Sequence, residues 1–443
     1  MLGKTFEVKC VDINHNGYGV SKVDGFILFT KGLLINEEAT VKITKLEKNF
    51  AFAELVSLIK ISQERVKPIC PLFGVCGGCD LMHINYQAQL EYKLNYANQI
   101  LKRIGKINTS AKEIIKADNP YYYRNNTQVH YQEINGKVEC GFYQKETNVI
   151  APYKDCFIQT KTATKISLII KNFYNKHQIK AYDKNTKKGN IKQAIIRKTT
   201  NEEYMVVIVV NENEIPRSKE LISELTTKVK TIKSIIQITN KGKTNKVYES
   251  SYKLLFGSLK LIDEIGDLKF SVDHNSFFQT NHLQTEKLYQ KVLDYVNPNK
   301  ADVIVDGYCG VGTISLLLAQ KAKFVYGIEI VSEAIKNANE NAVLNDLKNV
   351  SFVIGKTEEK LNEIKENINT IVVDPPRKGC DIKLLNTILE KEINKIVYVS
   401  CNVATLARDL NILKEKYQIK EITFYDMFPN TMHIEAVVLL SLD

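Results

Sequence analysis

The sequence of 443 residues is long enough for two or three domains with at least one large core. Hydrophobic residues make up 44% and charged residues 25%, which is typical of a globular protein. No apolar run reaches the roughly 18 residues of a membrane span, and the polar start predicts no signal peptide. We therefore expect a cytoplasmic protein with no membrane partner. Its nine cysteines are then buried thiols, metal ligands or nucleophiles rather than disulfides.

The net charge is positive, with 61 Lys and Arg residues against 50 Asp and Glu residues, which gives +11. An excess of this kind favours a polyanionic partner such as a nucleic acid. A general bias toward lysine would produce the same excess, so the charge supports a nucleic-acid partner without deciding it.

The first 58 residues contain short runs in which apolar and polar positions alternate. The pairs Asn16-Gly17 and Asp24-Gly25 are turn signals between such runs. Several short strands in so few residues predict a small β-barrel, a fold that often binds single-stranded nucleic acid.

Residues 120–268 mix strand and helix patterns without a clear linker or repeat. Within them, the segment YYYRNNTQVHYQ at residues 121–132 joins aromatic and basic side chains, a composition suited to base stacking and phosphate contact. The same segment would also serve as an aromatic-rich core strand. Its composition leaves both interpretations open.

From about residue 269 onward, apolar strands alternate with helical stretches. This alternation predicts a parallel sheet covered by helices on both faces, a Rossmann-like α/β fold. Ligands of such sheets bind beyond the carboxyl ends of the strands. We therefore expect the functional side chains to follow directly after strands.

The first predicted strand of this region ends in Asp306 and continues into a loop with Gly310 and Gly312. The second strand ends in Glu329, where an acid can accept hydrogen bonds from ribose hydroxyls. A dinucleotide would also fit this pattern, but the third glycine of the pyrophosphate fingerprint is absent. The loop therefore favours S-adenosylmethionine over NAD, with a glycine turn that binds no ligand as the remaining alternative.

Three further motifs contain Asp374, Cys401 and Glu435; the first two motifs follow predicted strands, and the third precedes the final strand. Methylation of a uracil at carbon 5 needs a nucleophile at carbon 6, a role suited to a cysteine thiolate, and then a base that removes the carbon-5 proton. Cys401 and Glu435 are our candidates for these roles. Taken singly, Cys401 would be an inert core thiol and Glu435 a solvent-facing acid.

Several motifs together resemble the RNA uracil-5-methyltransferase family: SFFQTN at 276–281, DGYCGVG at 306–312, DPPR at 374–377, SCN at 400–402 and HIE at 433–435. The resemblance implies that Cys401 is the nucleophile and Glu435 the proton-abstracting base. It also implies that S-adenosylmethionine is bound by four residues, which are Gln279, Tyr308, Glu329 and Asp374. Thr313 and Lys356 depart from the residues that some members carry near the cofactor, and we leave both out of the predicted site.

Cys70, Cys76 and Cys79 form a compact cluster of thiols, and Cys156 is available as a fourth ligand. Four cysteines could bind zinc or an iron–sulfur cluster, although their spacing is unlike that of most structural zinc sites. Four unrelated thiols are the alternative. The family resemblance implies a 4Fe-4S cluster with these four ligands, in a role in folding and RNA docking rather than in redox chemistry.

The resemblance also implies a domain organisation and a substrate. Residues 1–58 resemble a TRAM (OB-like) RNA-binding barrel, residues 59–268 a central iron–sulfur α+β domain, and residues 269–443 the methyltransferase domain. The barrel and the cysteine cluster resemble the branch that forms 5-methyluridine in 23S ribosomal RNA. The alternatives are methylation of a transfer-RNA uridine, cytosine-5 methylation, and an inactive methyltransferase fold that only binds RNA. We expect a monomer.

Overall fold

The computed structural model describes residues 1–241, 251–276 and 278–442. Phe277 of the SFFQTN motif therefore lies outside the described residues. The first sheet has six strands in the order β1-β5-β6-β4-β3-β2, and these are β1 (Thr5–Lys9), β2 (Asp12–Ile13), β3 (Tyr18–Val23), β4 (Phe26–Lys31), β5 (Glu38–Leu46) and β6 (Phe50–Lys60).

The six-stranded sheet surrounds its own apolar core. Alternate residues such as Leu28 and Ala51 are buried, as the period-two pattern of a strand requires. Val8 from the edge strand β1 joins Leu28 from β4 in one core cluster, because the sheet curls upon itself. This arrangement agrees with the small β-barrel that the sequence predicts.

The second sheet has seven strands in the order β10-β9-β8-β11-β12-β13-β14. Two helices, α2 and α3, pack on one of its faces over a core that includes Val129, Phe173 and Leu221. In chain order the elements are α1 (Tyr86–Arg103), β7 (Ile114–Ile115), β8 (Asn126–Ile134), β9 (Lys137–Tyr143), β10 (Ile150–Pro152), α2 (Lys161–Lys176), β11 (Ile191–Lys198), β12 (Tyr204–Val210), α3 (Ser218–Lys228), β13 (Ile232–Thr239) and β14 (Ser251–Gly257).

The last part of the chain forms a β-hairpin and an eight-stranded sheet in the order β19-β18-β17-β20-β21-β23-β22-β7. The elements are β15 (Leu261–Ile265), β16 (Leu268–Val272), α4 (His282–Val296), β17 (Val303–Gly307), α5 (Thr313–Ala319), β18 (Phe324–Glu329), α6 (Ser332–Leu344), β19 (Val350–Ile354), α7 (Thr357–Glu363), β20 (Thr370–Val373), α8 (Ile382–Lys391), β21 (Lys395–Ser400), α9 (Val403–Leu413), β22 (Tyr417–Tyr425) and β23 (Glu435–Leu442).

Strands β19, β18, β17, β20 and β21 are parallel, and their apolar side chains enter core clusters on both faces of the sheet. This confirms the predicted α/β fold. The strand order reverses at β17, since β18 lies on one side of it and β20 on the other. A ligand crevice is expected at such a switch point, beyond the carboxyl ends of the strands.

Helix α1 and strand β7 fall within the range predicted for the central domain, yet they pack against the eight-stranded sheet. Strand β7 pairs with β22, and Leu90 and Leu101 of α1 enter the core of that sheet. A fully buried ion pair connects α1 to the end of β22: the Nζ of Lys93 lies 2.5 Å from Asp426 Oδ1. The Tyr86 hydroxyl donates to the other oxygen of Asp426 at 2.8 Å. The domain boundaries remain a prediction.

None of the helices in the described ranges is long and apolar enough to cross a bilayer.

Candidate active site

The carboxyl edge of the parallel strands gathers most of the predicted site. Tyr308 follows β17, Glu329 ends β18, Asp374 follows β20, and Cys401 follows β21. Glu435 reaches the same edge by a different route, since β23 runs antiparallel to β21 with Ser400 opposite Ala436. Glu435, the residue before Ala436, therefore lies beside Cys401.

The glycine loop and Glu329 meet at the switch point. The backbone N–H of Gly310 donates to one oxygen of Glu329 at 3.3 Å, and the N–H of Val331 donates to the other at 3.0 Å. Gly312 has a φ of +84°, and a Cβ there would lie 2.7 Å from the Phe352 ring, so glycine is required. The backbone thus holds the Glu329 carboxylate at the mouth of the loop.

Asp306 also belongs to this end of the site, although the sequence analysis assigned it no role. It is buried, and burial raises the pKa of its carboxyl to about 7. The Ser315 hydroxyl donates to Oδ2 at 2.5 Å, whereas Oδ1 has no hydrogen-bond partner among the described residues. A buried acceptor left without a partner is a group that a ligand can satisfy.

Tyr308 and Gln279 complete the predicted cofactor set. Tyr308 adopts a left-handed backbone with a φ of +65°, and its hydroxyl lies near Cys380 and Asp381 where α8 begins. The hydrogen bond at the Gln279 carbonyl comes from the side chain of Asn125, at 3.2 Å. The structure thus ties Gln279 to the second sheet, and its side chain is partly buried.

Three acidic groups and one cation surround the reaction centre. Burial, followed by the nearby Glu435 and Asp374, raises the pKa of the Cys401 thiol to about 11, while Arg377 acts to lower it. Burial, followed by Asp374, raises the pKa of Glu435 well above its ordinary value. Burial also raises the pKa of Asp374 to about 6. At neutral pH the free protein therefore holds Cys401 as a thiol.

Arg377 was not among the predicted site residues, but its loop is tied to the cysteine. Asn402 caps α9 and also donates its side-chain amide to the Arg377 carbonyl at 3.1 Å. The Thr405 hydroxyl donates to the same carbonyl at 3.2 Å. These bonds hold the Arg377 backbone beside the segment of Cys401, and the guanidinium is close enough to act on the pKa of the Cys401 thiol. The motif DPPR was the sequence signal for it.

The four cysteines of the predicted cluster line one cavity of about 70 Å³. All four are free thiols. Burial raises the pKa of Cys79, and the thiols of Cys156, Cys76 and Cys70 raise it further, so the four groups lie near one another. Across the described ranges, no group of three or more His, Cys, Asp or Glu side chains surrounds a single metal-ion position.

Hydrogen bonds connect the cysteine cluster to the loop that precedes Glu435. The N–H groups of Asp80 and Leu81, next to Cys79, both donate to the carbonyl of Asn430, at 2.9 and 3.0 Å. The Asp80 carboxylate accepts the N–H of Met432 at 3.3 Å. The segment that carries the thiols therefore holds the chain that leads into β23.

Comparison with known proteins agrees with this site. The family described as tRNA (Uracil-5-)-methyltransferase matches residues 85–442, and the TRAM domain matches residues 1–56. The chain belongs to the RNA uracil-5-methyltransferase family. It is an S-adenosylmethionine-dependent enzyme, as the sequence predicts. The family supports uracil over cytosine as the methylated base, and an enzyme over an inactive RNA-binding fold.

Similar proteins cover nearly the whole chain. An uncharacterized RNA methyltransferase of Clostridium acetobutylicum is 42% identical, over 98% of this chain and 96% of its own. One of Listeria innocua is also 42% identical, over 99% and 98%. The crystal structure of Pyrococcus abyssi tRNA (uracil-54, C5)-methyltransferase with S-adenosyl-L-homocysteine is 26% identical, with a TM-score of 0.80 over 98% of this chain and 100% of that chain.

Proposed function

We propose that this methyltransferase forms 5-methyluridine in 23S ribosomal RNA, with Cys401 as the nucleophile and Glu435 as the base. The observation that carries the chemistry is the antiparallel pairing of β21 with β23, since it puts a thiol and a carboxyl group side by side at the ligand edge of the sheet. Asp374 and Arg377 lie close enough to both groups to shift their pKa values.

The proposed roles follow one order. Cys401 releases its proton to solvent and, as a thiolate, forms a bond from its sulfur to carbon 6 of uracil, which moves an electron pair toward the carbonyl oxygen at position 4. S-adenosylmethionine, when bound, supplies the methyl group that carbon 5 takes. Glu435 then accepts the carbon-5 proton, the C5–C6 double bond re-forms, and Cys401 leaves as a thiolate.

The electrostatics of the site suit Glu435 to this role. Burial raises its pKa, and a carboxylate with a raised pKa is a stronger base once it has lost its proton. Arg377 opposes that shift and favours the ionised form. The guanidinium also favours the thiolate of Cys401, so one cation assists both the addition and the proton removal.

For the cofactor we propose the predicted set Gln279, Tyr308, Glu329 and Asp374, together with Asp306. Glu329 is an acceptor for ribose hydroxyls, because backbone N–H groups hold its carboxylate in place. The unpartnered Oδ1 of Asp306 suits a donor such as the ammonium group of the methionine part.

For the cysteine cavity we propose a 4Fe-4S cluster held by Cys70, Cys76, Cys79 and Cys156. A single zinc ion would hold cysteine sulfurs about 2.3 Å from the metal and thus about 4 Å from one another. The cavity here, which apolar side chains such as Leu72 and Phe142 line together with the thiols, has a volume of about 70 Å³, whereas one water needs roughly 10–15 Å³. The cluster would supply a rigid anchor for the loop before Glu435, and it takes no part in methyl transfer.

Anaerobically purified protein is expected to be brown and to contain about four irons per chain, since four thiolate ligands match one such cluster. Replacing Cys79 with Ser is expected to remove the colour and to lower stability, because metal binding is coupled to folding. Cys140→Ser, at a buried thiol outside the cavity, is the matched control and should keep the iron. Metal analysis and absorption spectra measure the metal content and the colour. Stoichiometric zinc in place of iron, in colourless protein purified in this way, would contradict the proposal.

The choice of ribosomal RNA rests on the TRAM barrel together with the four-cysteine cavity. Transfer RNA is the second candidate, because one solved structure that matches 98% of this chain is a tRNA (uracil-54, C5)-methyltransferase. A cytoplasmic monomer remains part of the proposal.

Mass-spectrometric mapping of methyl groups decides between these substrates. Unmodified 23S ribosomal RNA and unmodified transfer RNA are incubated separately with the enzyme and isotopically labelled S-adenosylmethionine. We expect label in 5-methyluridine of 23S ribosomal RNA. Label mainly in transfer RNA would overturn the substrate, and label in 5-methylcytidine would overturn the base.

A further inference from the structure

The positive charge of the chain is concentrated in one stretch of the second sheet. Residues 161–198 contain eleven Lys and Arg side chains and a single acid, Asp183, and so carry a charge of +10 out of +11 for the whole chain. The stretch comprises α2, the following loop and β11. A polyanion approaching this protein would therefore be drawn to the part of the molecule that α2, the loop and β11 form.

The loop at the centre of the stretch presents its lysines to solvent. Lys184, Lys187 and Lys188 are all exposed. The Asp183 carboxylate accepts the N–H groups of Asn185 and Thr186, at 2.9 and 2.7 Å. These hydrogen bonds hold the pKa of Asp183 below its usual value, and the bond from Thr186 has the largest effect. The one acid of the stretch thus shapes the loop that carries the cations.

Beside this loop, two aromatic rings form a pair on the open side of the sheet. The rings of His130 (β8) and Tyr143 (β9) lie 4.2 Å apart with 30° between their planes, and both are partly exposed. The Nζ of Lys184 lies 5.5 Å from the centre of the Tyr143 ring. Burial, followed by Lys184, lowers the pKa of His130 to about 4, so the imidazole is neutral at physiological pH.

Alternation along β8 explains why His130 is available. Its neighbours Val129 and Tyr131 are buried in the core beneath α2 and α3, so His130 points to the opposite face of the sheet. The composition of the YYYRNNTQVHYQ segment allowed either an RNA-binding surface or an aromatic-rich core strand, and the segment contains residues of both kinds. Tyr131 is core, whereas His130 belongs to a surface that a partner can reach.

Strand β8 connects this pair to the proposed active site. Asn125, immediately before the strand, donates its backbone N–H to the Thr280 carbonyl at 2.9 Å and its side-chain amide to Gln279. At about 3.4 Å per residue, His130 lies roughly 17 Å along the strand from Asn125. The aromatic pair is thus within reach of nucleotides that flank a uridine in the cleft.

We propose that His130, Tyr143, Lys184, Lys187 and Lys188 form a platform that binds a single-stranded segment of the substrate RNA next to the target uridine. A base stacks on the exposed rings, and the lysines pair with the phosphates on either side. An acidic protein would satisfy the lysines but leave the ring pair unused, so RNA is the partner that fits both features. The proposal rests on the proposed function, in which RNA is the substrate, and it adds the surface that binds this RNA.

The test measures binding of a fluorescein-labelled oligouridylate by anisotropy, at several salt concentrations and without methyl donor. The variant K184A/K187A/K188A is compared with K321A/K348A/K365A, which removes the same charge from exposed loops that precede parallel strands, at the edge opposite the cleft. We expect the first variant to raise Kd about tenfold or more and to lower the slope of log K against log salt by about 2. The control should bind like the wild type.

Tyr143→Ala tests the stacking part. It is expected to weaken binding about fivefold or more, since stacking of one base contributes about that factor. With saturating RNA, kcat of the lysine variant should match the wild type while KM rises. Equal affinities of the two lysine variants would overturn the platform. Wild-type binding without any 5-methyluridine product would instead overturn the proposed function and leave the platform standing.

Discussion

Cys401→Ala is expected to form no covalent complex with RNA, whereas Glu435→Gln is expected to accumulate one. Without the thiol nothing adds to carbon 6, so methyl transfer should fall by at least about 10⁴-fold, the scale seen when a nucleophile is removed. With glutamine at position 435 the addition and the methyl transfer still proceed once. The carbon-5 proton then stays in place, Cys401 cannot leave, and a methylated RNA–protein adduct remains.

Denaturing gels with RNA and radiolabelled donor separate the two outcomes. Glu421→Gln is the matched control for the carboxyl, because Glu421 is exposed on β22, the strand paired with β23. It should turn over like the wild type and leave no adduct. An adduct with Cys401→Ala, or normal turnover of Glu435→Gln, would show that the assigned roles are wrong.

Lys93→Met is expected to destabilise the protein by about 3–5 kcal/mol, because it leaves the charge of Asp426 buried without a partner. Both side chains of this pair are fully buried, and Lys93 also donates to the Phe428 carbonyl at 3.1 Å. Breaking the pair loosens α1 from the end of β22, just before the loop that leads to Glu435. Urea unfolding measures the loss.

A matched pair and a double variant make this test specific. Lys287→Met removes a lysine that lies 2.7 Å from Asp118 in an exposed pair, and it should cost less than about 1 kcal/mol. The double variant Lys93→Met/Asp426→Leu removes both buried charges and should recover much of the stability lost by Lys93→Met. Equal losses for Lys93→Met and Lys287→Met would contradict an energetic role for burial.

Much of the catalytic domain could be predicted from local patterns. Each parallel strand is a short apolar run, and the functional residue follows it directly, so Asp374 and Cys401 were expected at one edge of the sheet before any contact was known. The glycine loop was recognisable for the same reason, since Gly312 meets a steric requirement that is local to its turn. The alternating pattern of residues 1–58 likewise predicted a curled sheet around its own core.

The structure located other candidate functional groups that the sequence patterns could not reveal. Asp306 was visible in the sequence as the end of a strand and the first residue of the motif DGYCGVG. Its free oxygen was not, because that depends on burial and on the Ser315 hydroxyl, which bonds only the other oxygen. His130 and Tyr143 are ordinary strand residues by sequence. They become a surface only because β8 pairs with β9, and because a loop some forty residues further along brings Lys184 over them.

The sequence by itself determined the α/β class of the catalytic region, its family, and which residue types follow its strands, because strand periodicity and turn chemistry are encoded over a few neighbouring residues. The tertiary structure decided which of those residues meet. The antiparallel insertion of β23 between β21 and β22 puts Glu435 beside Cys401, and hydrogen bonds from Asp80 and Leu81 hold the loop before it. The hydrogen bonds of Asp80 and Leu81 join segments more than 300 residues apart, and no local pattern specifies a partner at such a separation.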